Sequence, residues 1–421
     1  MHLNFANRLI LTTRGVSILR TPTGLLSILK KTVLTGCVIL QTWCSGGLVA
    51  EAEFREAPEK YWDSSELFKV PMFRDSPFAD SKCAGLRDLL VTGAEVEGKP
   101  AEFFAYVGYP DTPAPRGGFP GILLIHGGGG TAYPQYIKLW LDQGYAVMAL
   151  DWYNQRPLIK SVKMTETNLE RAPLEGGKRS IHTVNVANMV LAHSLLRSLE
   201  NVNAEKTAFV GLSWGSWYGA MVAAVDPRFK GGIEIYCGDV VRNSKSFING
   251  RFHHAGKVPL CWVTSTNDQN VTPASLQAGF DECANLENKS LIIHLPHSHI
   301  GFTFPSCFRM AEYFLKDGAG LPKLGQAQTN EKKIRADILA QGRGITRAIL
   351  CYTEDAQEKT THKRVWKSVP AQFDKTSVWA ELPDKVYQCF LSAYDEESPH
   401  NDLCGSSNLI EFPNFESAAL P

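Results

Sequence analysis

Hydrophobic positions fall into two regimes along this chain. Between residues 85 and 320, short apolar runs alternate with segments whose apolar residues recur at helical spacing. GILLI at 121–125, the runs at 145–150 and just before Ser213, GGIEIY at 231–236, VPLCWVT at 258–264 and SLIIHL at 290–295 predict strands. Residues 133–143, 181–199 and about 305–316 predict helices. Strand–helix–strand alternation implies a parallel sheet with crossover helices. Ahead of it, residues 86–109 alternate about Glu97-Gly98-Lys99-Pro100, the pattern of a hairpin. Beyond a Gly/Pro/Gln linker at 318–329 the period changes, and 347–352, 376–382, 386–393 and 408–412 predict short strands separated by turns. This reads as a small β-sandwich. The expected division is a leader over 1–52, an α/β domain with a doubly wound, mostly parallel sheet over 53–325, and a β-sandwich-like domain over 326–421.

The leader carries its own pattern. Lys30-Lys31 precede an uncharged apolar stretch that ends in Ala50-Glu51-Ala52, an A-x-A cleavage signal. A cleaved signal peptide is predicted, with export to the periplasm or beyond and no membrane span in the mature chain. The alternative is an uncleaved anchor. Residues 32–50 approach the length of a span, but their Gly, Ser, Thr and Gln content makes a weak one.

Composition narrows the classes. The chain has 421 residues, 44% hydrophobic and 20% charged, enough to fill a large core. Lys plus Arg equals Asp plus Glu at 43 each, so no basic field argues for nucleic acid or an anionic membrane surface. The ten cysteines form no C-x-x-C pair, which argues against zinc or redox chemistry; no metal and no cofactor is expected. In an exported chain, Cys283 with Cys307 or Cys351 with Cys389 are candidate disulfides. Cys237 and Cys261 sit within apolar strands and read as buried thiols.

The candidate chemistry starts at residues 207–225, TAFVGLSWGSWYGAMVAAV, a strand, a tight turn and a helix. The turn Gly211-Leu212-Ser213-Trp214-Gly215 is a G-x-S-x-G motif, which exposes a serine hydroxyl above a sheet edge. Ser213 is the candidate nucleophile. It needs a base, and the base needs an orienting acid. The strand VPLCWVT runs into a loop holding Asp268, the candidate acid, with Asp239 as its rival. The next strand runs into Pro296-His297-Ser298-His299-Ile300-Gly301. Residues two apart in this loop are expected to differ in direction. His299, deeper in the loop, is the preferred base, and His297 the alternative. His294 lies in the strand and reads as packed. The oxyanion donors should be the Trp214 N–H and an N–H of Gly128 or Gly129 in His126-Gly127-Gly128-Gly129-Gly130, where a side chain would obstruct a carbonyl. No Gly-Lys-Ser/Thr follows, so a phosphate loop does not fit.

Taken together, these motifs resemble the α/β-hydrolase superfamily. The stretches HGGGGTAYPQYIKLWLDQGYAVMALD, AHSLLRSLENVNAEKTAFVGLSWGSWYGAMVAAVDPRFKGGIEIYCG, LCWVTSTNDQNVTP and LPHSHIGF are similar to bacterial exported hydrolases of the acetylxylan-esterase, dienelactone-hydrolase and prolyl-oligopeptidase-like group. The resemblance covers about residues 100 to 320 and implies that Ser213, Asp268 and the His299 loop occupy the family's triad positions. It also implies a serine esterase acting on a small-molecule or carbohydrate ester. A prolyl-oligopeptidase-like peptidase and a non-catalytic binding protein on the same fold are the alternatives. Trp217-Tyr218 is bulkier than the small residues expected after the elbow.

Overall fold

A computed structural model describes residues 55–77, 85–99, 101–153, 178, 180–237, 246–330, 332–356 and 360–412. The leader over 1–52, Pro100 of the expected hairpin, Cys83 and the rival acid Asp239 lie outside the described residues. The described residues all belong to one compact unit.

Its frame is a nine-stranded sheet made of β1 (Phe73–Asp75), β2 (Leu86–Thr92), β3 (Glu102–Gly108), β4 (Phe119–Ile125), β5 (Ala146–Asp151), β6 (Val202–Leu212), β7 (Gly231–Ile235), β8 (Leu260–Ser265) and β9 (Leu286–Ile292). The spatial order is β1-β2-β3-β5-β4-β6-β7-β8-β9. The three leading strands are antiparallel to their neighbours, and β5, β4 and β6 to β9 are parallel. Successive residues of β4 serve opposite faces: Leu123 and Ile125 belong to one core, Ile122 and Leu124 to the other. A strand buried on both faces reads as a continuous apolar run rather than an alternating one.

Helices cover both faces. After the short α1 (Ser64–Leu67) come α2 (Pro134–Asp142), α3 (Ile181–Ser198), α4 (Trp214–Val225), α5 (Pro273–Glu282) and α6 (Pro305–Leu315). Residues of α3 and α4 pack in one core, and residues of α2 and α6 in the other. Most of α3 is buried all round, including polar positions. Buried polar groups need partners. His193 of α3 has two, the Asp226 carboxylate at 2.7 Å and the Thr207 hydroxyl at 2.8 Å.

The C-terminal part is a β-sandwich. One sheet runs β10 (Pro322–Leu324), β12 (Lys333–Gln341), β16 (Ser377–Glu381), β15 (Gln372–Phe373), with β11 (Gln328–Asn330) on β12. The other runs β14 (Trp366–Pro370), β13 (Arg347–Thr353), β17 (Gln388–Tyr394), β18 (Cys404–Ser406), with β19 (Ile410–Glu411) on β17. Ile334, Ala336 and Val378 from one sheet meet Ala348, Leu350 and Leu391 from the other. The expected linker at 318–329 holds β10 and the first two residues of β11. The sandwich docks on β9: the Ser290 hydroxyl donates to the Cys404 carbonyl, and the Leu291 N–H donates to the Ser406 hydroxyl at 3.0 Å.

The candidate disulfides do not form. Cys283, Cys307, Cys351 and Cys389 are each a buried free thiol, as are Cys237 and Cys261. The expected partners sit in different packing layers, Cys283 and Cys307 in the cores on opposite sides of the large sheet. Among the described residues, no helix is long and apolar enough to cross a membrane.

Candidate active site

The elbow is built by backbone proximity. Ser213, between β6 and α4, takes φ 55° and ψ −120°, a conformation that costs a residue with a Cβ. Its surroundings hold it there. The Ser213 N–H donates to the Ile235 carbonyl at 2.8 Å, and its carbonyl accepts from the N–H of Ser216 at 2.8 Å and of Trp217 at 3.2 Å. A Cβ on Gly215 would lie 2.1 Å from the Ile125 carbonyl oxygen, and one on Gly211 2.5 Å from the Gly215 carbonyl oxygen. Only glycine lets the helix cross the ends of β4 and β6 this closely. Trp214 opens the helix, so its N–H has no intrahelical acceptor.

Asp268 lies just past β8 and is 1% exposed. One carboxylate oxygen accepts from the Asn270 N–H at 2.7 Å, and the other pairs with His297 Nδ1 at 2.7 Å. An Nδ1–H donated to a carboxylate leaves Nε2 as the lone-pair nitrogen of the neutral ring. The imidazole of His297 stacks on Tyr236, with centroids 4.4 Å apart, and the Tyr236 hydroxyl donates to the Pro296 carbonyl at 2.9 Å. Asp268 orients this ring from one side, and Tyr236 supports its face.

His299, the preferred base by sequence, makes no such pair. Ser298 caps a 3-10 turn, His299–Thr303, with its hydroxyl accepting from the Ile300 N–H. That turn swings His299 beneath the glycine loop. Its ring meets Tyr133 edge-on at 5.3 Å, and its buried Nε2 has no hydrogen-bond partner. Cβ atoms on Gly127 and Gly130 would lie 3.2 and 3.0 Å from that nitrogen. Burial, with the nearby His126 and His297 imidazoles, holds His299 below the usual histidine range. The alternative base, His297, is the histidine that faces Asp268. His294, expected in a strand, sits past the end of β9 at φ 58°.

Ser213, His297, His299 and the glycine loop line one cavity of about 610 Å³. The loop is anchored by His126, whose Nδ1 faces the Gly127 carbonyl at 2.8 Å and whose Nε2 faces Asp151 at 3.2 Å. His126 is thus a structural residue. Gly128 packs on the Trp214 indole, where a Cβ would lie 2.6 Å from Cδ1, and Gly129 has φ +69°. The remaining walls are largely aromatic: Trp152, Tyr153, Trp214, Trp217 and Tyr218. The bulk of Trp217-Tyr218 is therefore part of the cavity wall. Among the described residues, no Lys, Arg, Asp or Glu lines it, and no cluster of His, Cys, Asp and Glu could hold a metal ion. Sequence reasoning missed Asn270 and Tyr236, which support the acid and the base; neither has a signal outside its three-dimensional place.

A mixed, mostly parallel sheet with helices on both faces and a serine at a strand–helix elbow defines an α/β-hydrolase fold. No family model matches the chain, and no curated protein matches its sequence. Among solved structures it is similar to an acetyl xylan esterase from Paenibacillus sp. R4, at 15% identity over 64% of this chain and 99% of that chain, TM-score 0.48. It is also similar to Acetyl Xylan Esterase 1 from Thermoanaerobacterium sp. JW/SL YS485, at 13% identity over 62% and 93%, TM-score 0.45. A third is a carbohydrate esterase family 15 glucuronoyl esterase from Caldicellulosiruptor kristjansonii, at 12% identity over 63% and 85%, TM-score 0.43. At these TM-scores the likenesses carry no argument, so the fold rests on the sheet topology and the chemistry on the site geometry.

Proposed function

We propose that this protein is a serine hydrolase that cleaves carboxylic esters, with Ser213 as nucleophile, His297 as base and Asp268 as orienting acid. The observation that carries this is the 2.7 Å pairing of His297 Nδ1 with the buried Asp268 carboxylate, in a cavity that also holds the elbow serine. In this reading His297 Nε2 takes the Ser213 proton as Oγ attacks the acyl carbonyl. Asp268 stabilises the imidazolium. The Trp214 N–H and an N–H of Gly128 or Gly129 meet the oxyanion. His297 then hands its proton to the departing alcohol, leaving an acyl group on Ser213. Water, deprotonated by His297, attacks that acyl group, and the acid leaves as the proton returns to Ser213.

Among the described residues the cavity walls are largely aromatic and carry no charged side chain, which favours a neutral ester, such as an acylated sugar, over a peptide whose ammonium needs a carboxylate. Hydrolysis of p-nitrophenyl acetate and of an aminoacyl anilide, by the wild type and by Ser213→Ala, tests the reading. Ester turnover that falls at least about 10³-fold in Ser213→Ala supports it. Equal rates for the two proteins remove Ser213 as nucleophile, and faster anilide than ester cleavage moves the assignment to peptidase.

A further inference from the structure

Asn267 precedes the candidate acid, and its side-chain amide is saturated. Nδ2 donates to two carbonyls of the C-terminal sandwich, His362 at 3.1 Å and Arg364 at 2.9 Å. Oδ1 accepts from the His294 N–H at 3.0 Å and the Thr266 hydroxyl at 2.8 Å. All four hydrogen-bonding positions of an amide are used. Two carbonyls on one side and two donors on the other fix which end is nitrogen. A second tie runs beside the first: His294 Nε2 meets the Trp366 carbonyl at 2.9 Å. His294 stands three residues before His297.

The sandwich side of this bracket is itself anchored. Arg364 donates to Gln388 of β17 at 3.0 Å, and both side chains are buried. Trp366 is buried against Phe390 and pairs with Thr353 in the sheet. The carbonyls facing Asn267 and His294 therefore come from a braced segment of a second sheet system.

We infer that Asn267, with His294, is a positioning residue through which the C-terminal sandwich holds the aspartate loop and the histidine loop in register. The inference rests on the Ser213–His297–Asp268 reading. It gives the sandwich a role in turnover, although the segment 361–366 does not line the cavity. A misplacement of about 1 Å in a catalytic group can cost on the order of 100-fold in rate. Neither residue touches substrate in this account.

Steady-state kinetics on p-nitrophenyl acetate, with the full chain, test it. Asn267→Ala should lower kcat by about 10- to 100-fold with KM within about threefold. His294→Ala should lower kcat by less, again with KM nearly unchanged. The control is Gln277→Ala, which removes another tie to the C-terminal segment, from the Leu409 N–H at 2.8 Å. It should lower the melting temperature and leave kcat in place. If Asn267→Ala does not fold, His294→Ala and Asn267→Gln carry the same readout. Wild-type kcat in folded Asn267 and His294 variants overturns the bracket. If Ser213→Ala is inactive in that same experiment, the hydrolase reading survives and only the bracket falls.

Discussion

Two histidines two residues apart have different fates, and neither periodicity nor spacing separates them. His297 keeps the Asp268 pairing, whereas the turn opened by Ser298 carries His299 under the glycine loop. Alternation assigns side-chain direction only while a strand continues, and β9 ends at Ile292 before His294 takes φ 58°. Another residue was wholly invisible in the sequence. Glu234, in the interior strand β7, is fully buried, with only the Cys237 thiol and the Trp262 indole beside its carboxyl, neither in good hydrogen-bonding geometry. GGIEIY reads as a strand, with nothing to say that both of its faces are covered. Burial pushes this carboxyl up to about 8. Between the unfolded value near 4.5 and about 8, the folded state keeps a proton that the unfolded chain has lost. Stability therefore falls as pH rises through that window, by on the order of 3 kcal/mol at pH 7. Glu234→Gln should raise the melting temperature, with a larger gain at pH 8 than at pH 5 by differential scanning fluorimetry. A gain equal at both pH values would mean that Glu234 is not held protonated.

The elements that position the site were the most legible. β4, β6, β7, β8 and the long α3 follow from apolar runs and helical spacing, because each is long enough for its run or its period to stand out locally. Short strands were not legible. β10, β11 and β18 have three residues each and are strands only because longer neighbours pair with them. The elbow lies between these cases. Its motif is local, but its need for glycine comes from β4, far off in sequence. Gly215→Ala tests that need. The added methyl would meet the carbonyls of Ile125 and His126 at 2.1 and 2.6 Å, both backbone atoms that cannot rotate away. A loss of about 1 to 3 kcal/mol is expected, seen as a lower denaturant midpoint, with esterase turnover falling further than stability does. Unchanged stability would show that α4 can move off β4 without cost.

On the scale of the whole molecule, the chain divides by sheet rather than by linker. The change of period near residue 320 marks a real change of architecture, yet β9 and β18 bind the two sheet systems through Ser290 and Ser406. Those contacts join residues more than 100 positions apart, which is why a scan along the chain read a spacer there. The same long-range closure assembles the proposed triad, whose members come from the ends of β6, β8 and β9. Covalent trapping tests that assembly most directly. The full chain would be treated with a fluorophosphonate, the adduct mapped by mass spectrometry, and the labelling rate followed in variants. The account predicts one adduct, on Ser213, with labelling slowed at least about 10²-fold in His297→Ala and less than tenfold in His299→Ala. An adduct elsewhere, or labelling that depends on His299 and not on His297, would contradict it.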